Sequence, residues 1–299
     1  MSWIIYAIAA PAIFSITNFI DKFLVEKKIR DSSVIAIFSG FMAMLFGLVI
    51  LLFRRFQLFD VRQLSLIVFA GVLAELGIVP YYRAMSTDEA SRVVPLFQVI
   101  PIFVLLLSYV FLGETMTILQ IVGFCFILFG GFIISAKKIE KRIFAPRASF
   151  WNMMLSSFLF AASVVIFRFV VLVQNFWDTL GWESVGFGVG ALILLLWPSY
   201  RRRFIMEFQR IQSKVWGMLV LNEGVYIGGR LALSYAYALA PAAIVSVVSG
   251  IQPLFILLYG VFLSIFFPDI IREDIRRSVV GLKLFAIVFT LLGLSLIYL

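Results

Sequence analysis

The chain contains no histidine and a single cysteine. An intrachain disulfide, a histidine-ligated metal centre and the Ser-His or Cys-His pairs of nucleophilic catalysis are therefore excluded. Charge is scarce as well, at 14% of residues. No run has the form of a Walker loop or a dinucleotide fingerprint. Gly186, Gly188 and Gly190 in GFGVGA lie inside an apolar run, where glycines serve close helix packing and not phosphate binding. Carboxylates or histidines clustered at an interface are missing too, which argues against an enzyme, and no cofactor or metal is expected. A cleavable leader is not expected, because Met-Ser-Trp carries no basic side chain and no small-residue cleavage motif follows the first apolar run.

What is there is apolar. Hydrophobic residues make up 63% of 299 and the mean hydropathy is +1.08, more than the interior of a soluble globule of this size can hide, so lipid must be the solvent. The net charge is +9 and the pI near 9.8. The basic residues sit in short links between apolar runs, which is the pattern of membrane topology and not of a nucleic-acid surface. The stretch Val93 to Ser135 shows the theme. Two runs flank Gly113-Glu114-Thr115, each with roughly the 20 residues a helix needs to cross hydrocarbon. Neither alternates apolar and polar residues as a barrel strand would, so helices are expected. Pro101 bends the first run; Gly123, Gly130 and Gly131 let a neighbour approach the second. Cys125 reads as a small buried apolar residue.

The windows between charged or turn residues predict ten spans: Trp3 to Val25, Ser33 to Leu52, Leu64 to Met85, Ser91 to Leu112, Thr115 to Ala136, Phe150 to Val173, Thr179 to Trp197, Trp216 to Leu239, Ala242 to Phe267 and Val279 to Leu299. The longest link carries KKIEKR and divides the chain into 1–136, a basic link 137–149, and 150–299. Setting Pro101 against Pro253 reveals a weak internal repeat. Tyr82-Arg83-Ala84-Met85 falls on Ser234-Tyr235-Ala236-Tyr237, and FSITNFIDKF from Phe14 falls on FAASVVIFRF from Phe160, with Lys22 against Arg168. An odd number of spans per half makes the copies inverted. The expected fold class is therefore all-α integral membrane, with ten transmembrane helices as two inverted five-helix repeats. Most basic residues, among them Lys22, Lys28, Arg83, Arg92, Lys137, Lys138 and Arg201 to Arg203, fall on the odd-to-even links. That face is expected to be cytoplasmic, which places both termini outside. RRRFIMEFQRIQSK reads as an interfacial helix on the same side.

The hairpin FLGETMTILQIVGFCFILFGGFIIS, with its leucine, Gly-Glu pair and glycine-rich last helix, resembles the end of an EamA domain of the drug/metabolite transporter superfamily. The first span with its terminal Lys22 and the segment before Pro101 are similar to the same domain. The second half departs from it, having Phe267-Pro268-Asp269 in place of the Gly-Glu pair and a longer link, REDIRR. Family members of this kind often have cytoplasmic termini, the reverse of what the charges indicate here. The resemblance implies two EamA-like repeats forming an alternating-access carrier with a central cavity, commonly an exporter of metabolites, amino acids or drugs.

An ionisable group deep in a span costs about 2.5–3.5 kcal/mol on insertion scales, so each needs a partner or water. Glu75 in the third span and Glu223 and Arg230 in the eighth are the clearest candidates. Glu223, Tyr226, Arg230, Ser234 and Tyr237 recur at spacings of three, four, four and three, and Glu75 and Tyr82 are seven apart, so each set lies on one helical face. The two faces are expected to meet across the cavity, with Glu75 or Glu223 taking up a proton in competition with substrate. The plainer reading makes Arg230 the static partner of one of these carboxylates; in a further one it binds an anionic group. Asn18 and Asp21 share a face of the first span and mark either a gate or the helix end. Gln98 with Pro101, and Ser249 and Gln252 with Pro253, offer amides and freed carbonyls at two bends, the prolines acting as hinges. Trp182, Tyr81, Tyr82, Tyr226 and Tyr237 are candidates for an aromatic cavity lining, while Glu114 is expected to cap the start of the fifth span.

These residues favour a secondary transporter of the plasma membrane that moves a small metabolite, amino acid or drug-like molecule, with proton coupling. The partners expected are a small-molecule substrate and the lipid bilayer, with no nucleic acid; a homodimer is compatible with the sequence. The alternatives are a carrier of a phosphate-bearing lipid-linked sugar or nucleotide-sugar, with Arg230 on the phosphate, and a non-transporting membrane assembly protein.

Overall fold

The computed structural model describes residues 2–27, 32–87, 93–135, 147–266 and 277–298. Most of the basic link, Phe267-Pro268-Asp269, nearly all of REDIRR, Lys28, Arg92 and the side chain of Lys22 lie outside the described residues. Among those described, every regular element is helical. The helices are α1 (Ser2–Lys27), α2 (Ser32–Phe53), α3 (Val61–Thr87), a 3₁₀ turn Val94–Val99 running into α4 (Ile100–Leu112), and α5 (Ile118–Ser135). They continue with α6 (Ala148–Val171), α7 (Phe176–Leu196), α8 (Pro198–Arg210), α9 (Ser213–Leu239), α10 (Ala242–Ser249), α11 (Gln252–Phe266) and α12 (Arg277–Tyr298).

Among the described residues, six stretches are long and apolar enough to cross a membrane: Ser2–Asp21, Val34–Phe53, Val61–Ala84, Ala148–Val171, Phe176–Leu196 and Ala242–Leu263. Leu96–Leu112, Ile118–Ile133 and Phe285–Ile297 are shorter apolar helices. The outer surface carries large apolar side chains, among them Leu45, Leu52, Phe53, Tyr109, Val110, Phe111 and Leu196. So much exposed apolar area is a liability in water and the expected outer face of a bundle solvated by lipid. Cys125, expected to be buried, is exposed on this surface. α5 turns Gly123, Phe124, Ile127 and Gly130 inward against α12, which leaves the intervening Cys125 on the other side.

Packing is dominated by α2 on α7, α5 on α12, α3 on α6 and α7, and α1 on α9. The α3–α7 seam is closed backbone to backbone. A Cβ on Gly186 would lie 3.0 Å from the Cα of Gly71 and closer still to the carbonyl of Val68, so the GFGVGA glycines serve helix approach, as their apolar setting implied. Gly186→Leu is expected to force α7 off α3 and destabilise the protein by about 1–3 kcal/mol or more, read as a lowered Tm in detergent.

Two of the expected spans are broken where their prolines predicted. Pro101 stands in the first turn of α4 after the 3₁₀ segment, and Pro253 in the first turn of α11, four residues beyond the end of α10. Proline is well placed there, since first-turn amides have no intrahelical acceptor to lose.

At the end of the bundle where α4 stops, Gly113 adopts a left-handed φ of 66° as C-cap, a conformation glycine reaches without strain. The next helix starts only at Ile118, where Thr117 and Gln120 exchange side-chain to backbone bonds in a reciprocal cap. Glu114 therefore does not cap the fifth span. Its carboxylate accepts the Arg168 guanidinium at 3.0 Å and the Ala242 amide at 2.7 Å, and so caps α10 in the other half of the chain. Arg168 also donates to the carbonyls of Tyr237 and Ala238 at the end of α9. Nearby, Arg54 and Asp178 form a two-pronged pair at 3.0 and 3.1 Å. At the opposite end α8 lies beside α2 and α7, where Phe204 meets Phe41 and Phe208 meets Trp216.

Candidate functional site

Glu75 sits halfway along α3 and is fully buried. Neither of its carboxylate oxygens has a hydrogen-bond partner among the described residues. Its side chain occupies the room left by two glycines of neighbouring helices: a Cβ on Gly190 of α7 would come within 2.7 Å of it, and one on Gly40 of α2 within 3.0 Å. Glu75 interacts electrostatically with Glu223 and Arg230, although α3 and α9 are not among the helix pairs that pack substantially.

The stripe on α9 divides between two partners. Glu223 accepts a hydrogen bond from Ser39 of α2, while Asn222 beside it donates to Asp21 of α1 at 2.7 Å. Four and eight residues on from Asn222, Tyr226 stacks on Phe14 of α1 at 5.3 Å between centroids, and Arg230 turns to α7. There Arg230 pairs with Glu183 at 2.7 Å, donates to Ser184 Oγ at 3.0 Å, and lies 4.1 Å above the ring of Phe187. The expectation that Arg230 neutralises Glu75 or Glu223 is thus corrected, because its ion-pair partner is Glu183. That residue was legible as an ionisable group inside an apolar span; the surrounding glycines drew attention to packing instead.

Tyr82 joins the same group, interacting electrostatically with Asp21, Glu75 and Glu223, and stacks on Tyr81 at 5.1 Å. The other expected residues lie apart from it. Tyr237 is buried and hydrogen-bonded with Ser246 and Ser249 of α10. Trp182 donates its indole N–H to the Gln57 carbonyl, and so belongs to the link after α2 and not to an aromatic lining. Asn18 is exposed, and Asp21 makes the polar contact at that end of α1.

Gln98 lies where the broken helices meet, against the backbone between Ser249 and Gln252, while the Ser249 hydroxyl donates to the Ser246 carbonyl. The Gln98 amide donates to the Gly250 carbonyl at 3.2 Å, its own oxygen has no partner among the described residues, and Ser15 reaches the Gln252 carbonyl at 3.3 Å. The Gln98 amide thus joins the two breaks by satisfying the Gly250 carbonyl, which lies in the gap between α10 and α11, and Ser15 ties α1 to the start of α11.

An all-α bundle with an apolar exterior and ionisable side chains gathered inside it defines a multi-pass membrane protein. Residues 1–136 match the EamA-like transporter family. An uncharacterized protein of Methanocaldococcus jannaschii is 26% identical over 132 residues, a match that takes in 44% of this chain and 95% of that one. A protein of known crystal structure superposes on 100% of this chain and 99% of its own, with a TM-score of 0.71 at 13% identity. That likeness shows a shared fold and nothing about substrate.

Proposed function

We propose that the protein is a secondary transporter, an exporter of a small metabolite, amino acid or drug-like molecule across the plasma membrane. It works by alternating access between two inverted EamA-like repeats, residues 1–136 and 150–299, with ten spans in all and both termini outside. The helix pairing supports the repeat. Exchanging the first five spans with the second five carries α3 on α6 into α9 on α1, carries α4 on α6 into α10 and α11 on α1, and returns α2–α7 and α5–α12 to themselves. The largest departure from the exchange is at one pair: α3 and α7 are sealed at Gly71 and Gly186, whereas α2 and α9 barely touch and are joined by Ser39 and Glu223. A carrier caught with one pathway closed and the other loosened has this asymmetry.

The observation that carries the reading is the unpartnered carboxylate of Glu75 at mid-span. Among the described residues neither an ion pair nor a hydrogen bond offsets its burial, which is the condition of a group that exchanges its ligand during a cycle. Glu75 and Glu223 carry the proton; Tyr82, Tyr226, Arg230, Asn18, Gln98, Ser249, Gln252 and Tyr237 line or brace the path; Pro101 and Pro253 are its hinges. Because Arg230 is already neutralised by Glu183, the geometry does not favour a phosphate carrier. In proteoliposomes with a pH-sensitive dye inside, a transported substrate should drive proton movement in the wild type. If Glu75→Gln and Glu223→Gln both leave that movement and its pH dependence unchanged, coupling through these residues is wrong.

A further inference from the structure

The charge inventory of the interior indicates what the site holds. Asp21 on α1, Glu75 on α3, Glu183 on α7 and Glu223 on α9 belong to one electrostatic group, in which the guanidinium of Arg230 is already balanced by Glu183 at 2.7 Å. Three carboxylates remain with no cation among the described side chains of the cluster. The unpartnered buried atoms tell the same story. Among the described residues of the cluster, both oxygens of Glu75 and Oδ1 of Asn222 are acceptors without donors, against one spare donor, Nη1 of Arg230, and that guanidinium lies over the ring of Phe187. Asn222 is 2% exposed and its amide nitrogen is committed to Asp21, so the free oxygen is independent of the carboxylates and asks equally for a hydrogen-bond donor. Aromatic rings flank the acids on both sides: Tyr81 and Tyr82 on α3, Phe14 and Tyr226 where α1 meets α9. Acidic groups, bare acceptors and ring faces are together complementary to a cation that donates hydrogen bonds.

We propose that the interior site binds an organic ammonium ion, its N–H groups on Glu75, Glu223, Asp21 and the Asn222 oxygen and its apolar body among Tyr82, Tyr226 and Phe14. This deepens the transporter reading and rests on it. A cation and a proton then compete for the same carboxylates, so binding weakens as the pH falls. Among the described side chains, the groups governing that dependence are Asp21 from α1, Glu75, Tyr81 and Tyr82 from α3, Glu183 from α7, and Glu223, Tyr226 and Arg230 from α9; α2 contributes the hydroxyl of Ser39 there.

The test is a matched series offered to the purified full-length protein in calorimetric titration: 2-phenylethylamine (cation), phenylalanine (zwitterion) and 3-phenylpropionate (anion). The amine is expected to bind, at least tenfold more tightly than either other compound, and to lose about tenfold in affinity between pH 8 and pH 6. Glu75→Gln, Glu223→Gln and Asp21→Asn should each weaken it. Equal or tighter binding of the zwitterion or the anion overturns the proposal, as does amine binding that ignores pH, or a complete lack of binding across the series. The wild-type pH dependence stands on its own should a variant fail to fold. Proton movement in proteoliposomes separates the two readings: a proton-coupled carrier that prefers the zwitterion retains the transport reading and loses this one, and an amine-binding protein that moves no protons does the reverse.

Discussion

Glu75→Gln is expected to abolish coupled transport without loss of thermal stability. One pH unit across a membrane is worth 1.36 kcal/mol per proton. A one-for-one exchanger therefore sustains a substrate gradient of about tenfold for each unit of pH gradient. If Glu75 carries the proton, its amide variant falls to a ratio near one at any imposed gradient, while facilitated exchange of substrate continues. The fold should survive because glutamine fills the same space between Gly40 and Gly190 and because no described partner of the carboxylate is lost. Removing a buried group that could carry an uncompensated charge leaves Tm unchanged or higher. A variant that retains the gradient clears Glu75 of the coupling role; one that unfolds shows that its carboxylate is structural.

The ion pair on α7 and α9 is expected to behave in the opposite way. Glu183→Gln leaves the Arg230 guanidinium buried without its counter-charge, and breaking such a pair costs about 3–5 kcal/mol. Arg230→Gln strands Glu183 similarly. The double variant Glu183→Gln with Arg230→Gln should recover much of that loss, because two neutral amides strand no charge. The pairwise coupling from unfolding in mixed micelles measures it. Near-additive losses would mean that Arg230 finds another carboxylate, Glu75 being the nearest candidate by its electrostatic interaction, and would assign that pair to the transport cycle and not to static packing.

Much of the bundle was legible in the chain. Each expected span coincides with a helix or a broken pair within a few residues: Ser33 to Leu52 against Ser32–Phe53, Trp216 to Leu239 against Ser213–Leu239. The helix breaks follow from Pro101 and Pro253, and the approach of α7 to α3 from the glycines of GFGVGA. The polar residues were harder. Glu75, Glu223, Tyr82 and Tyr226 emerged from helical spacing and do lie in one electrostatic group, whereas Tyr237, reached by the same spacing, points to α10, and Glu114 reaches across to the other half of the chain.

The division has a physical cause. Solvent preference and backbone hydrogen bonding are local: an apolar run of sufficient length must become a helix in lipid whatever surrounds it, and a proline within it removes a donor in any context. Helix positions and the two breaks were accordingly determined by the sequence alone. Which carboxylate answers Arg230, which helix Glu114 caps, and that Glu75 is left without a partner depend on which helices become neighbours and which faces they turn to one another. The packed bundle decided these, through glycine contacts such as Gly71 on Gly186 that bring α7, and Glu183 with it, to a place no spacing along the chain encodes.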